Sequence, residues 1–362
     1  MTKLHEAFET VGQSIWLDFI RRSFIASGEL QTLIDAGLRG MTSNPTIFAE
    51  AIGQSQDYDE TLATLIRQNK SVNEIFETLA SEDIRNAADH FRPIYEESEG
   101  VDGYVSMEVN ANLADDTEAT IDEARRLFAM TNRPNIMIKV PATAAGIPAI
   151  ATLIGEGINI KVTLMFSLAH YEAVADAYLE GIERLLTTNV DPSRVASVAS
   201  FFVSRVETAV DKQLDTIGNS TLKGKIGIAN AKMAYARYLT LFSSKRWQQL
   251  AARGARPQRI LFGSTSTKNP AYPDTLYVDG LMGANTVNTL PRDTLDALLD
   301  HGTIAPGLTQ DLDAARAQIT ELAILGIDLD AITQELQVVG VRKFVDSFTE
   351  LQNAIRQKQE QM

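Results

Sequence analysis

The sequence predicts an α/β fold, a (β/α)8 TIM barrel, on three observations. Short β-rich apolar runs alternate with amphipathic helical stretches, which implies parallel βαβ units. The runs number eight, a count that favours a closed barrel. No glycine-rich phosphate turn follows the first of them, as an open doubly wound sheet would normally have. The chain has 362 residues, 44% of them hydrophobic, enough for a barrel with insertions as a single domain over 1–362.

The candidate strands, in order, are Gln13–Phe19, Gly37–Ser43, Gly103–Val109, Asn135–Pro141, Asn159–Phe166, Val195–Val203, Arg259–Ser266 and Thr286–Leu290. Neither a solenoid-type repeat nor a low-complexity tract interrupts them. Most strand-to-strand intervals are short, but Pro45 to Glu99 is long and reads as helices: Tyr58–Gln68, Asn73–Leu79 and Asp83–Glu97. Ser71 with Glu74 forms a capping box before the middle one. This is a helical insertion at about 46–99, after the second strand. The tail, about 310–362, also reads as helices. Within Val341–Ile355, the side chains of Phe344, Phe348, Leu351 and Ile355 share one stripe, of the kind that packs on a barrel wall or on a partner subunit. A homodimer is one expectation from it.

Composition narrows the function. A formal net charge of −14 argues against nucleic acid as a partner, because phosphate backbones need clustered cations. A few local cations can still hold one phosphate. The chain has no Cys, which removes disulfides, thiolate nucleophiles and Cys-ligated zinc. No apolar run approaches the ~20 residues of a membrane span, and Met1-Thr-Lys-Leu-His-Glu-Ala7 lacks the apolar core of a signal peptide. A cytoplasmic protein with no membrane partner is the expectation.

Barrel enzymes carry their chemistry at the C-terminal ends of the strands, and every second strand residue faces the interior. Lys139, in Asn135-Ile-Met-Ile-Lys-Val-Pro-Ala142, passes both filters. A buried ammonium must find a carboxylate or lose its proton. It is therefore either a structural ion-pair partner or an amine nucleophile toward a carbonyl. Asp18, after Ser14-Ile-Trp-Leu, and Glu108, after Tyr104-Val-Ser-Met, supply carboxylates near the ends of strands one and three. Each alone reads as a salt-bridge partner; two at separate points of one rim suit the proton transfers of imine chemistry and C–C cleavage. Asn44, before Pro45 at the end of strand two, reads on its own as a turn residue. Ser200-Phe-Phe-Val-Ser-Arg205 and Gly263-Ser-Thr-Ser-Thr-Lys-Asn269 end strands six and seven. Their hydroxyls, backbone N–H groups and cations, Arg205 and Lys268, fit phosphate binding where barrels often place it.

At these residues the sequence resembles the transaldolases. The matching segments are Ser14–Asp18, Thr42-Ser-Asn-Pro-Thr-Ile-Phe48, Val105–Glu108, Ile138-Lys-Val-Pro-Ala-Thr143, Val162-Thr-Leu-Met-Phe-Ser167, Ser200–Arg205 and Ser264–Pro270. Seven in order, each ending a candidate strand, are specific together where none is alone. Length, the insertion and Ser-Thr-Ser-Thr-Lys-Asn-Pro resemble the longer bacterial branch. The resemblance implies a transferase of the non-oxidative pentose phosphate pathway. It would move a dihydroxyacetone unit from a ketose phosphate (sedoheptulose 7-phosphate or fructose 6-phosphate) to an aldose phosphate (glyceraldehyde 3-phosphate or erythrose 4-phosphate). It implies that Lys139 forms the Schiff base and that Asp18 takes the C4 hydroxyl proton. It implies that Glu108 works through a water held by Thr163, and that Asn44 bonds substrate hydroxyls. Ser200, Arg205 and Lys268 would hold the phosphate, with Phe202 lining the pocket. The iminium is the electron sink, so no metal or organic cofactor is required.

One position departs from the family pattern. Transaldolases usually carry a second Asn on strand five, which helps bind the dihydroxyacetone moiety; this chain reads Ile158-Asn-Ile-Lys-Val-Thr163. Lys161 shares parity with Thr163, so both should face the interior. A second ammonium would favour the neutral, nucleophilic form of Lys139. Alternatively, Lys161 would compete for the carbonyl, remove the Asn's hydrogen bonding, or pair with Glu108 or Asp18. Altered or impaired transfer is the expectation. Two other activities stay open: fructose 6-phosphate aldolase-like cleavage releasing dihydroxyacetone, carried by much shorter chains without the insertion, and a sugar-phosphate-binding barrel without turnover.

Overall fold

In the computed structural model, which describes residues 1–361, eight parallel strands close into a barrel in sequential order. They are β1 (Gln13–Asp18), β2 (Gly40–Thr42), β3 (Tyr104–Glu108), β4 (Ile136–Pro141), β5 (Ile160–Met165), β6 (Ser197–Phe202), β7 (Arg259–Gly263) and β8 (Thr286–Leu290). The expected fold class holds, and all eight strands lie within their expected segments. All but β8 are shorter than expected, and for β2 and β7 the local reason is visible. Gly37, at φ 106°, belongs to the turn before β2, and Ser264, at φ 55°, ends β7 by turning the backbone left-handed. Helices alternate with the strands and cover the barrel. Among the described residues, no helix is long and apolar enough to cross a membrane.

The insertion after β2 is helical: α1 (Pro45–Gly53), α2 (Asp59–Arg67) and α3 (Val72–Glu97). The capping box forms, with Ser71 N donating to Glu74 Oε2 at 2.9 Å and Glu74 N to Ser71 Oγ at 3.3 Å. The two helices expected at Asn73–Leu79 and Asp83–Glu97 are one continuous helix. Nothing in Ala80-Ser81-Glu82 breaks it, and the apolar stripe runs on through buried Leu79, Ala80, Ile84, Ala87 and Phe91. Asp83, which looked like a fresh helix start, is buried, accepting from Tyr58 Oη at 2.8 Å and Arg22 Nε at 2.9 Å.

Of the remaining helices, α4 (Ser204–Thr216) and α6 (Leu329–Gln361) bear on the site, and α5 (Leu312–Ile324) precedes α6 in the tail. The tail is helical as expected, apart from Met362, which lies outside the described residues. The Phe344, Phe348, Leu351 and Ile355 stripe is buried within the chain, against α1 and α3. Phe348 meets Phe76 edge-on at 5.8 Å. The stripe is thus consumed internally and gives no ground for a dimer.

A buried ionic cluster plugs the N-terminal end of the barrel. Asp102, fully buried just before β3, accepts from Arg39 Nε at 2.7 Å, Arg259 Nη2 at 2.8 Å and Ser14 Oγ at 2.8 Å. Burial alone would raise its pKa, but the two guanidiniums hold it below the ordinary carboxylate value. Charge balance here serves stability, since catalysis belongs to the other end of such barrels. Asp102→Asn should therefore destabilise the chain by about 3–5 kcal/mol, because it strands two buried guanidiniums. Denaturant unfolding checks this, and a loss below about 1 kcal/mol, within the range of an ordinary surface pair, would show that the cluster is not needed.

Candidate active site

The strand register builds the site. Glu108 on β3 is level with Lys139 on β4, and Lys139 is level with Lys161 on β5. Adjacent strands lie about 4.8 Å apart, so one carboxylate and two amines form a row inside the barrel. Lys139 Nζ is 2.8 Å from Glu108 Oε1, an ion pair with side chains only 11% and 7% exposed. The other carboxylate oxygen, Glu108 Oε2, is buried with no hydrogen-bond partner among the described residues. Burial pushes the Glu108 pKa up, and Lys139 opposes the shift most, followed by Lys161.

Lys161 is 3% exposed and forms no ion pair among the described residues. Burial, reinforced by the neighbouring Lys139 ammonium, lowers its pKa to about 7. Asp18 and Glu108 act in the opposite direction but fall short. The expectation that Lys161 would pair with Glu108 or Asp18 is not met. Glu108 Oε1 is engaged by Lys139, and Asp18 Oδ1 accepts from Thr42 Oγ1 at 2.5 Å. Thr42 Oγ1 in turn lies 2.8 Å from Thr289 Oγ1, so Asp18 is held from β2 and β8.

These residues and the remaining candidates line one cavity of about 420 Å³ at the C-terminal end of the strands: Asp18, Asn44, Glu108, Lys139, Lys161, Thr163, Ser200, Phe202, Arg205 and Lys268. Asn44 is a helix cap rather than a turn residue: it caps α1 through Oδ1, which accepts from Ile47 N at 3.0 Å. Its amide nitrogen is the group left for a ligand. Thr163 is buried two residues beyond Lys161, just before Leu164, which adopts a left-handed φ of 63° at a bulge in β5. Such a conformation costs a leucine roughly 1–2 kcal/mol and has to be held by its surroundings. Gln337 on α6 supplies one hold, its Nε2 donating to Leu164 O at 3.2 Å and to Ala142 O at 2.8 Å.

At the rim, Ser200 Oγ is buried without a partner among the described residues. Arg205, in the first turn of α4, lies 5.0 Å over the Phe202 ring. Burial lowers its pKa, and no carboxylate compensates. Lys268 Nζ donates to Ser266 Oγ at 2.9 Å. A desolvated guanidinium without a carboxylate, lining the same cavity as an unpartnered hydroxyl, is equipped to receive an anion.

The transaldolase/fructose-6-phosphate aldolase family profile matches residues 15–355. A transaldolase of Acidothermus cellulolyticus is 49% identical over 98% of this chain and 96% of its own length. Those of Thermobifida fusca and Trichodesmium erythraeum are 48% and 44% identical, over 96% and 97% of this chain and 96% of each relative. The chain belongs to the transaldolase/fructose-6-phosphate aldolase family. It is an enzyme of the transaldolase kind by that membership, and the cavity just described lies where a family barrel carries its chemistry.

Sequence reading missed part of this cavity. Lys343, Phe344 and Ser347 on α6 also line the cavity, as do Glu50 on α1 and Thr289 on β8. The amphipathic stripe of α6 marked its buried face, but not which part of the barrel that face would cover. Thr46 Oγ1 donates to Ser347 Oγ at 2.9 Å, tying α6 to the start of α1 beside the cavity. Thr42 and Thr289 had only one signal, their position near strand ends.

The Lys161 environment has a thermodynamic consequence. The folded amine gives up its proton near pH 7, whereas an unfolded lysine does so near 10.4. Between these values the unfolded chain binds more protons, so stability rises with pH; below about 7 the full cost of the buried amine is felt. Lys161→Met should stabilise the fold at pH 6–7 by on the order of a few kcal/mol, with the difference shrinking towards pH 10. Paired thermal melts across that range test it. A difference that stays constant with pH would contradict the buried-amine environment.

Proposed function

We propose that the chain transfers a dihydroxyacetone unit from a ketose phosphate, sedoheptulose 7-phosphate or fructose 6-phosphate, to glyceraldehyde 3-phosphate or erythrose 4-phosphate. The observation that carries this reading is the buried Lys139–Glu108 pair, 2.8 Å apart, in one cavity with Asp18 and the uncompensated Arg205. The chain would work as one unit in the cytoplasm, in the non-oxidative pentose phosphate pathway, on phosphorylated sugars.

In this mechanism Lys139 Nζ, after passing its proton to Glu108, attacks the ketose C2 carbonyl. The resulting carbinolamine loses water to give the iminium, with Glu108 moving protons through a water held by Thr163. Asp18 takes the C4 hydroxyl proton as the C3–C4 bond breaks. The bond's electrons pass into the iminium, leaving an enamine on Lys139. The aldose phosphate departs, the acceptor aldehyde takes its place, and the steps run in reverse. Asn44 hydrogen-bonds substrate hydroxyls through its free amide nitrogen. Ser200, Arg205 and Lys268 hold the phosphate, and Phe202 forms the adjoining wall. A cavity of about 420 Å³ falls in the usual range for small-molecule sites.

Lys161 stands where the transaldolases usually carry an Asn that binds the dihydroxyacetone moiety. Its presence supports altered transfer and favours a second reading, in which the enamine is lost to water and dihydroxyacetone is released.

Three measurements test the proposal. With fructose 6-phosphate as donor and erythrose 4-phosphate as acceptor, sedoheptulose 7-phosphate and glyceraldehyde 3-phosphate should accumulate. Free dihydroxyacetone with glyceraldehyde 3-phosphate, and no sedoheptulose 7-phosphate, would establish cleavage instead, and no product at all would leave a binding barrel. Lys161→Asn should raise the transfer rate, and an unchanged or lower rate would contradict the role given to Lys161. Arg205→Ala should lower kcat/KM for phosphorylated donors by roughly 10–100-fold, as expected for hydrogen bonds to a charged group worth about 1.5–3 kcal/mol. Non-phosphorylated fructose should be affected far less, and equal losses on both would remove Arg205 from the phosphate site.

A further inference from the structure

The cavity holds two amines where imine chemistry needs one, and the two are not equivalent. Lys139 is engaged by Glu108 at 2.8 Å. Lys161, level with it on the next strand, lines the same cavity without an ion-pair partner among the described residues. Lys161 lines the cavity that also holds the buried, unpartnered Glu108 Oε2 and Ser200 Oγ. The charged groups acting on it are Lys139 from β4, Glu108 from β3 and Asp18 from β1.

We propose that Lys161 is a second imine-forming amine, condensing with the carbonyl of ketoses and small ketones that enter this cavity, in competition with Lys139. The substrate class rests on the function proposed above; the reactivity of Lys161 rests on its own placement.

The step balances within the site. The Lys161 Nζ lone pair forms a bond to the ketone carbon, the carbonyl π pair moves to oxygen, and water carries one proton from nitrogen to that oxygen to give the carbinolamine. The hydroxyl takes a second proton from water or Lys139 and leaves as water, the nitrogen lone pair forms the iminium, and loss of the remaining nitrogen proton back to the same donor leaves the imine. Amine and ketone give imine and water, with no oxidant or metal. The neutral form is accessible near neutral pH, because burial holds the Lys161 pKa at about 7. At pH 8 such an amine is mostly neutral, whereas an ordinary lysine is below about 1% neutral. Strands about 4.8 Å apart let both Nζ atoms address one carbonyl carbon, so the two imines exclude each other. An imine on Lys161 is displaced by one strand from the Glu108 pair, which makes it a route by which substrate is held without efficient transfer.

The test is reductive trapping of the intact enzyme with borohydride at pH 8, in the presence of fructose 6-phosphate or dihydroxyacetone, followed by peptide mass mapping. Adducts on both Lys139 and Lys161, never on the same molecule, are expected, with Lys161 labelled roughly 100-fold or more above surface lysines in line with its neutral fraction. An adduct on Lys139 alone overturns this inference and leaves the proposed function standing. An adduct on Lys161 alone upholds the inference and removes Lys139 from its proposed role. No adduct on either overturns both. Lys139→Gln, with its fold checked by circular dichroism, should still be trapped at Lys161; a folded variant that takes no label contradicts the proposal. Lys161→Gln should be trapped at Lys139 only, and residual label at position 161's peptide would contradict it.

Discussion

One buried carboxylate set against two buried amines is the constraint on which the site depends. Taking an ammonium out of water is costly unless a counter-charge receives it. The Glu108 carboxylate receives Lys139 at 2.8 Å, and the other nearby carboxylate, Asp18, is held from the side by Thr42. Lys161 is left with the burial cost and a cation beside it, and both act to remove its proton. The three groups meet because β3, β4 and β5 are in register at this level, so the electrostatics of the site follow directly from barrel closure.

The two ends of the barrel divide the work. At the N-terminal end, Asp102 takes the charge of Arg39 and Arg259, and that cluster is closed and satisfied. At the C-terminal end, groups are left unsatisfied: Glu108 Oε2, Ser200 Oγ, and an Arg205 whose burial no carboxylate offsets. Buried polar groups without partners are costly in a folded protein; under the proposed function, the hydroxyls and anionic head of a sugar phosphate would answer each of them. The irregular end of β5 fits the same division. Leu164 in a left-handed conformation, clamped by Gln337 of α6, adjoins Thr163 at the cavity wall.

Much of this was legible in the chain. The eight strands announced themselves through short β-rich runs separated by helical periodicity. Lys139, Asp18 and Glu108 stood out because charges near the ends of otherwise apolar strands need a reason. Helix breaks were harder: the pause expected between Leu79 and Asp83 is absent, because Asp83 finds Tyr58 and Arg22, partners distant in sequence. The α6 stripe was visible, but its docking site was not, since periodicity gives the buried face of a helix and not its target. Lys343 and Ser347 therefore escaped notice, and a homodimer was entertained for a surface that the chain covers itself. Asn44 shows how two readings can coexist, as a helix cap that also faces the cavity. The partnering of the two interior lysines was beyond sequence pattern, because parity places both inside without saying which one wins the carboxylate.

The most direct test of this charge balance is the titration of the lysines themselves. With 13Cε-labelled lysine, NMR spectra followed from pH 5 to 11 should contain one signal with a midpoint near 7, matching the value for Lys161, and that signal should vanish in Lys161→Met. If every lysine signal instead titrates near the ordinary value of about 10.4, then Lys161 is not the unpaired, desolvated amine described here, and the account of the site is wrong.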